Sequence, residues 1–157
     1  KFDITHMMLS EVSGKFKNYD ATFTSTKEDF SDAKFDFSAD ISSIDTDNTT
    51  RDGHLQGERW FDSAKNPKMM FASTSFTKVE GNKYKMTGNL TMKGKTAPVT
   101  LDVTLNGPIV DKRSKKQKVG IKAVGTINRV TWGVGSEGGM TVSEEVVITA
   151  AGEFVGS

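Results

Sequence analysis

The sequence contains no cysteine, two histidines and three prolines among 157 residues. Without cysteine there is no disulfide framework, no thiolate metal site and no cysteine nucleophile. The two histidines, His6 and His54, give multi-histidine metal centres and proton relays little to start from. Long apolar runs are missing as well, and nothing approaches the ~18 consecutive apolar residues of a spanning helix, so stable membrane insertion is not expected. Charge of one sign is also absent. Lys and Arg number 21 against 20 Asp and Glu, a balance that does not suggest a nucleic-acid partner. The chain is 35% apolar and 26% charged, which fits one soluble folded domain spanning 1–157. An alternating pattern is already running at Phe2-Asp3-Ile4-Thr5, directly after Lys1. Removal of an upstream signal peptide is one natural cause.

The pattern has a period of two nearly everywhere. In 34–42, Phe35, Phe37, Ala39 and Ile41 share one face. In 83–93 the same face carries Tyr84, Met86, Gly88, Leu90 and Met92, and in 98–106 it carries Val99, Leu101, Val103 and Leu105. Similar strands are expected at 119–127 and 146–154, and others at 1–9, 12–25 and 69–79. Strict alternation means one dry and one wet face, as in an antiparallel sheet covered on one side. The total is about eight strands of roughly ten residues.

Turn chemistry falls between the strands at Glu80-Gly81-Asn82, Lys93-Gly94-Lys95-Thr96 and Asn106-Gly107-Pro108. Helix is expected only around 47–61, capped by Asp47 or Asn48 and weakened by Gly53 and Gly57. So many antiparallel strands in a small chain make a sandwich or an up-and-down barrel. The inward rows mix large side chains with Gly88, Ala123, Gly125, Ala150 and Gly152. Small inward residues either leave a cavity or mark bends where a barrel turns a corner. Both readings stay open at this point.

Several motifs fail on context. Gly133-Val134-Gly135-Ser136-Glu137-Gly138 spells a dinucleotide fingerprint, but strand pattern rather than helix follows it. Asp45-Thr46-Asp47-Asn48-Thr49 starts like a calcium loop, yet Thr50 stands where glycine is needed and Gln56 where a bidentate glutamate is needed. Asp52 and His54 lack a third ligand, so no metal site is assigned. Lys112-Arg113-Ser114-Lys115-Lys116-Gln117-Lys118 reads as a solvated hairpin tip, with weak contact to an anionic membrane as its other use. Glu144 and Glu145 are strand neighbours that point to opposite faces, so they form no carboxylate dyad. Catalytic residues are therefore not assigned, and the chain is expected not to be an enzyme.

Arg51-Asp52-Gly53-His54-Leu55, Trp60-Phe61-Asp62, Asn66-Pro67 and Phe71-Ala72-Ser73 form a block that resembles the YceI family. A second block, Gly88-Asn89-Leu90-Thr91-Met92-Lys93-Gly94-Lys95-Thr96-Ala97-Pro98-Val99, resembles the strand–turn–strand element of that family. The opening fits too, with His6 ahead of Val12-Ser13-Gly14-Lys15-Phe16. Asn66 departs from the aromatic that most often precedes the proline. The resemblance implies a lipocalin-like antiparallel barrel, which with the strand count and the helix signal gives an all-β, eight-stranded, up-and-down barrel with a short helix or lid around 47–61. It also implies a polyisoprenoid or similar amphiphile in an apolar tunnel, and a periplasmic or secreted location. A quinone-like or fatty amphiphile would serve equally, and no other cofactor is expected.

On that basis the tunnel is expected to be lined by Phe2, Ile4, Phe16, Phe35, Phe37, Ile41, Trp60, Phe61, Met86, Leu90, Met92 and Trp132. Flexible methionines and aromatics suit a slender tail, each buried CH₂ of which contributes about 0.8 kcal/mol. The same residues would serve equally as filled core. Arg51 and His54 sit on the one irregular segment and are the candidates for a polar headgroup. Alternatively, Arg51 pairs with Asp52 or Asp45, and His54 bonds only to backbone. The rival functions are a filled barrel acting through its surface and a lipid-acting hydrolase or isomerase using His54 with Asp52. A truncated first strand would leave an edge on which a homodimer could pair.

Overall fold

The computed structural model describes residues 1–6, 10–27, 29–135 and 143–156, with side chains for all of these except 4–6, 10 and 11. Among the described residues, ten strand segments alternate with little else: β1 (Phe2–His6), β2 (Ser10–Phe16), β3 (Tyr19–Thr24), β4 (Lys34–Asp40), β5 (Ile44–Asp45), β6 (Lys68–Glu80), β7 (Lys83–Met92), β8 (Lys95–Val110), β9 (Gln117–Asn128) and β10 (Glu145–Val155). One α-helix, α1 (Thr49–Leu55), follows β5, and tight helical turns occupy Ile41–Ser43 and Arg129–Trp132.

All pairings are antiparallel, in the order β3-β4-β6-β7-β8-β9-β10-β1-β2-β5. The two ends of that order meet. β2 and β3 are one strand bent at Lys17–Asn18, and β4 and β5 are its neighbour, interrupted by the turn at Ile41–Ser43. Hydrogen bonds carry the pairing across the corner, from the Lys17 amide to the Ser43 carbonyl at 3.1 Å and from the Asp40 amide to the Asn18 carbonyl at 2.9 Å. The Asn18 amide also donates to Ser43 Oγ at 3.0 Å. The segments therefore close into the expected up-and-down barrel, which leaves few exposed strand edges.

Three details differ from expectation. The strand expected at 12–25 is broken by its corner. The joint expected at Asn106-Gly107-Pro108 is a register shift inside β8, which runs on to Val110 before turning. The free edge expected near the start is absent at Phe2 and Asp3, because β1 pairs there with both β10 and β2. The turns at Gly81 and Lys93–Gly94 are as expected, with φ of +54° at Gly81 and +50° and +74° at Lys93 and Gly94.

The inward rows follow the alternation, but the interior is not uniform along the barrel axis. One end is packed solid by aromatic rings. Phe23 lies about 6 Å, centroid to centroid, from Phe30, Phe76 and Phe154, and Phe76 stacks on Tyr84 at 4.7 Å. Met86, Val103 and Leu105 fill the space between them, almost wholly excluded from solvent. Burial of this cluster, at about 25 cal/mol per Å² of apolar surface, drives closure of the sheet.

Candidate functional site

Beyond the plug the barrel is hollow. A cavity of about 300 Å³ opens between the inward faces and the segment that carries α1. Its floor is built from Phe35, Phe71, Leu101 and Ala123. Phe35 joins floor to plug, with ring centroids 6.3 Å from Phe71 and 6.0 Å from Phe154. Higher up, Leu90, Met92, Ile127, Val146 and Ile148 make the wall. Phe2, Phe16 and Phe61 form an aromatic lip, Phe2 to Phe16 at 5.9 Å and Phe16 to Phe61 edge-on at 6.3 Å.

The inward glycines resolve the choice between cavity and bend in a third way. A Cβ on Gly88 would stand 2.5 Å from the Phe71 ring, and one on Gly125 would stand 2.4 Å from a Leu101 methyl. Gly88 and Gly125 are each the seat of a large side chain from a neighbouring strand, whereas a Cβ on Gly152 would meet only Phe154 of its own strand, at 3.8 Å. The missing Cβ atoms let Phe71 and Leu101 lie flat against the wall as floor, instead of standing up into the cavity.

The lid follows from local chemistry. Asn48 caps α1, its Oδ1 accepting from the Arg51 amide at 2.9 Å. Arg51 makes no ion pair with either expected carboxylate. Its Nε donates to Thr46 Oγ1 at 2.8 Å and its Nη2 to the Thr46 carbonyl at 2.6 Å. Asp52 is held by the same threonine, accepting from its amide at 2.9 Å and its hydroxyl at 2.5 Å. Thr46 thus sits between guanidinium and carboxylate, and Thr46, Arg51, His54 and Leu55 all face the cavity.

A second arm completes the roof. After the helical turn at Arg129–Trp132 the chain passes Gly133 and Gly135, both with φ near +75°. The Gly135 amide donates to the Arg59 carbonyl at 2.8 Å, which ties the two arms together. Arg129 is buried, at 5% exposure, and lines the cavity. Its Nε donates to the Ser143 carbonyl at 2.9 Å and its Nη1 to the Val134 carbonyl at 2.8 Å, and its guanidinium carbon lies 5.6 Å from the Trp60 ring centre. Burial pushes this guanidinium below the usual arginine value, and the charge of Glu144 opposes the shift. A Cβ on Gly135 would collide with both Arg129 and Trp60, at 2.6 Å each.

The structure brings Phe2, Phe16, Phe35, Phe37, Trp60, Phe61, Leu90, Met92, Arg51 and His54 to this cavity. It places three others elsewhere. Met86 belongs to the plug, and Ile41 is buried in the turn at the barrel corner. Trp132 is buried behind the wall, its Nε1 donating to the Leu90 carbonyl at 2.8 Å. The side chains of Ile4 and His6 lie outside the described residues, as do residues 136–142 of the glycine-rich stretch. Met69, Phe71, Ile127 and Arg129 were not anticipated. Phe71 stands in the family-like block and Ile127 on the inward row of the strand expected at 119–127, whereas Arg129 had no such signal.

These features define an antiparallel barrel with one solid end and one hollow apolar end beneath a lid, an architecture suited to holding a small apolar molecule. The chain belongs to the family described as the YceI-like domain, whose model matches residues 1–154. It is 34% identical over 159 aligned residues to a UPF0312 protein of Staphylococcus epidermidis, covering 98% of this chain and 90% of that one. The crystal structure of a YceI protein from Campylobacter jejuni superposes with a TM-score of 0.87 at 32% identity, covering 98% of this chain and 90% of that one. A polyisoprenoid binding domain from Saccharophagus degradans shares the fold, with a TM-score of 0.68 at 10% identity over 99% of this chain and 92% of that one.

Proposed function

We propose that this protein binds the tail of an isoprenoid-like or fatty amphiphile in the hollow end of the barrel and carries or sequesters it outside the cytoplasm. The observation that carries this reading is the distribution of chemistry in the cavity. Its floor and wall are mainly hydrocarbon and aromatic surface, and Arg51, His54 and Arg129 line it from the two arms of the roof. A single-tailed amphiphile matches that polarity, with tail inward and polar group under the lid. The fold is one on which a polyisoprenoid binding domain is built. Membership of the YceI-like family agrees with a binding role.

Binding is favoured over catalysis by the state of Asp52 and His54. Residues two apart on a helix do not face each other, and the Asp52 carboxylate is committed to Thr46. The pair cannot serve as an orienting acid and base as it stands.

The test is native mass spectrometry of the purified chain, followed by organic extraction and identification of what is released. The expected result is an added mass that extracts as a prenyl or fatty amphiphile. A bare chain that also takes up no added prenyl lipid would overturn the proposal.

A further inference from the structure

At the solid end of the barrel, β8 and β9 extend past the plug as a two-stranded ribbon that β10 flanks. Residues 106–110 are all exposed, so the apolar side chains there serve no core. Ile109 is 64% exposed, Val110 61% and Val155 55%. Register places Ile109 beside Lys118 and Lys118 beside Val155, so the three share one face with the cation in the middle.

The ribbon ends in an internally hydrogen-bonded cationic turn. Asp111 Oδ1 accepts from the amides of Arg113 and Ser114 at 2.8 and 2.9 Å, and its backbone closes on Lys115 and Lys116 at 2.9 Å each. Its other oxygen meets Lys118 Nζ at 3.0 Å. With the turn's backbone satisfied internally, Lys112, Arg113, Lys115 and Lys116 are left exposed. The whole chain carries a net charge of +1, so five cations and one carboxylate in 109–118 leave the remainder net acidic.

We infer that this tip docks the barrel onto an anionic lipid surface. Lys and Arg gain about 1 kcal/mol each near acidic headgroups, while Ile109 and Val155, on one face of the ribbon, offer apolar side chains to the acyl boundary. An acidic protein would satisfy the same cations, and the polyglutamate and serine arms of the test below separate it from a lipid surface. The tip lies beyond the plug from the cavity, so this surface is separate from the cargo site.

The experiment is vesicle co-sedimentation of the whole chain, using phosphatidylglycerol and phosphatidylcholine in equal parts against phosphatidylcholine alone. The wild type should bind only the anionic vesicles and be released in about 1 M salt, where the Debye length falls to ~3 Å. Lys112→Glu, Arg113→Glu, Lys115→Glu and Lys116→Glu together should lower partitioning by more than roughly 1,000-fold. Ile109→Ser with Val155→Ser should weaken the binding that remains as salt is raised. These positions are exposed, and circular dichroism checks that each variant is folded. Absence of binding, equal binding to neutral vesicles, or binding indifferent to charge reversal would overturn the inference. Displacement by soluble polyglutamate, combined with no effect of the two serine substitutions, would overturn it in favour of an acidic protein partner.

Discussion

Phe71 on β6 lies flat over Gly88 on β7, in the space where any other residue would carry a Cβ. The contact would be 2.5 Å to the ring and 2.5 Å to the Ala72 carbonyl oxygen. Because one of those neighbours is backbone, Gly88→Ala should destabilise the barrel by about 1–3 kcal/mol, as overpacked cores do. Gly125→Ala meets the end of the Leu101 side chain at 2.4 Å, which can turn aside, and backbone only at 3.1 Å, at the Thr100 carbonyl oxygen. Its cost should be smaller, and the displaced leucine should shrink the cavity. Urea unfolding of the two variants checks this, and equal costs would count against the seating of Phe71.

Arg129 joins the two arms of the roof through the Val134 and Ser143 carbonyls and the Trp60 ring. Arg129→Met should cost about 2–4 kcal/mol, because buried carbonyls lose a charged donor. Arg129→Lys should recover only part of that loss, since one ammonium does not reproduce the guanidinium fork. Urea midpoints supply the comparison. Full recovery by lysine would show that charge, not geometry, is what the site uses.

Asn48→Ala removes the cap of α1, worth about 1 kcal/mol. The helix buries none of its residues, so the loss should appear as local opening of the lid. Hydrogen exchange at the Arg51 and Asp52 amides should speed up roughly fivefold while the global midpoint stays put. A fall in the global midpoint would mean the lid unfolds together with the barrel.

The Asp111 carboxyl is held down at about 2 by the Ser114 amide and the Lys118 ammonium, against 3.8 when free. A folded-state value below the unfolded one means the turn's contribution is complete above about 3.8 and is lost as pH falls through about 2. The tip should therefore stay ordered through mild acid. Carboxyl titration by nuclear magnetic resonance, with the Arg113 and Ser114 amides as reporters, checks it. A midpoint near the free value would show that these hydrogen bonds are not kept in solution.

Much of the barrel was legible because a half-buried strand writes its facing into the chain. Phe35, Phe37, Leu90 and Met92 could be placed inward from alternation alone, and Asn48 could be offered as a cap from residue type and position. Depth could not be read the same way. Met86 and Leu90 obey the same parity on one strand, yet one sits in the plug and the other in the cavity wall. Trp132 is apolar and buried, but its indole is spent on the Leu90 carbonyl behind the wall. Arg129 had no marker in sequence, since Trp60, Val134 and Ser143 gather around it only once the barrel has closed.

The amino-acid sequence by itself determined the strands, their inward faces and the single lid segment, because each depends on residue period and neighbours a few positions away. Tertiary structure decided where the barrel is solid and where it is hollow. That depends on register between strands far apart in the chain, and on which large side chain lies across which glycine. The same closure brought Thr46 between Arg51 and Asp52 and laid Arg129 against Trp60, which turned a loop into a roof.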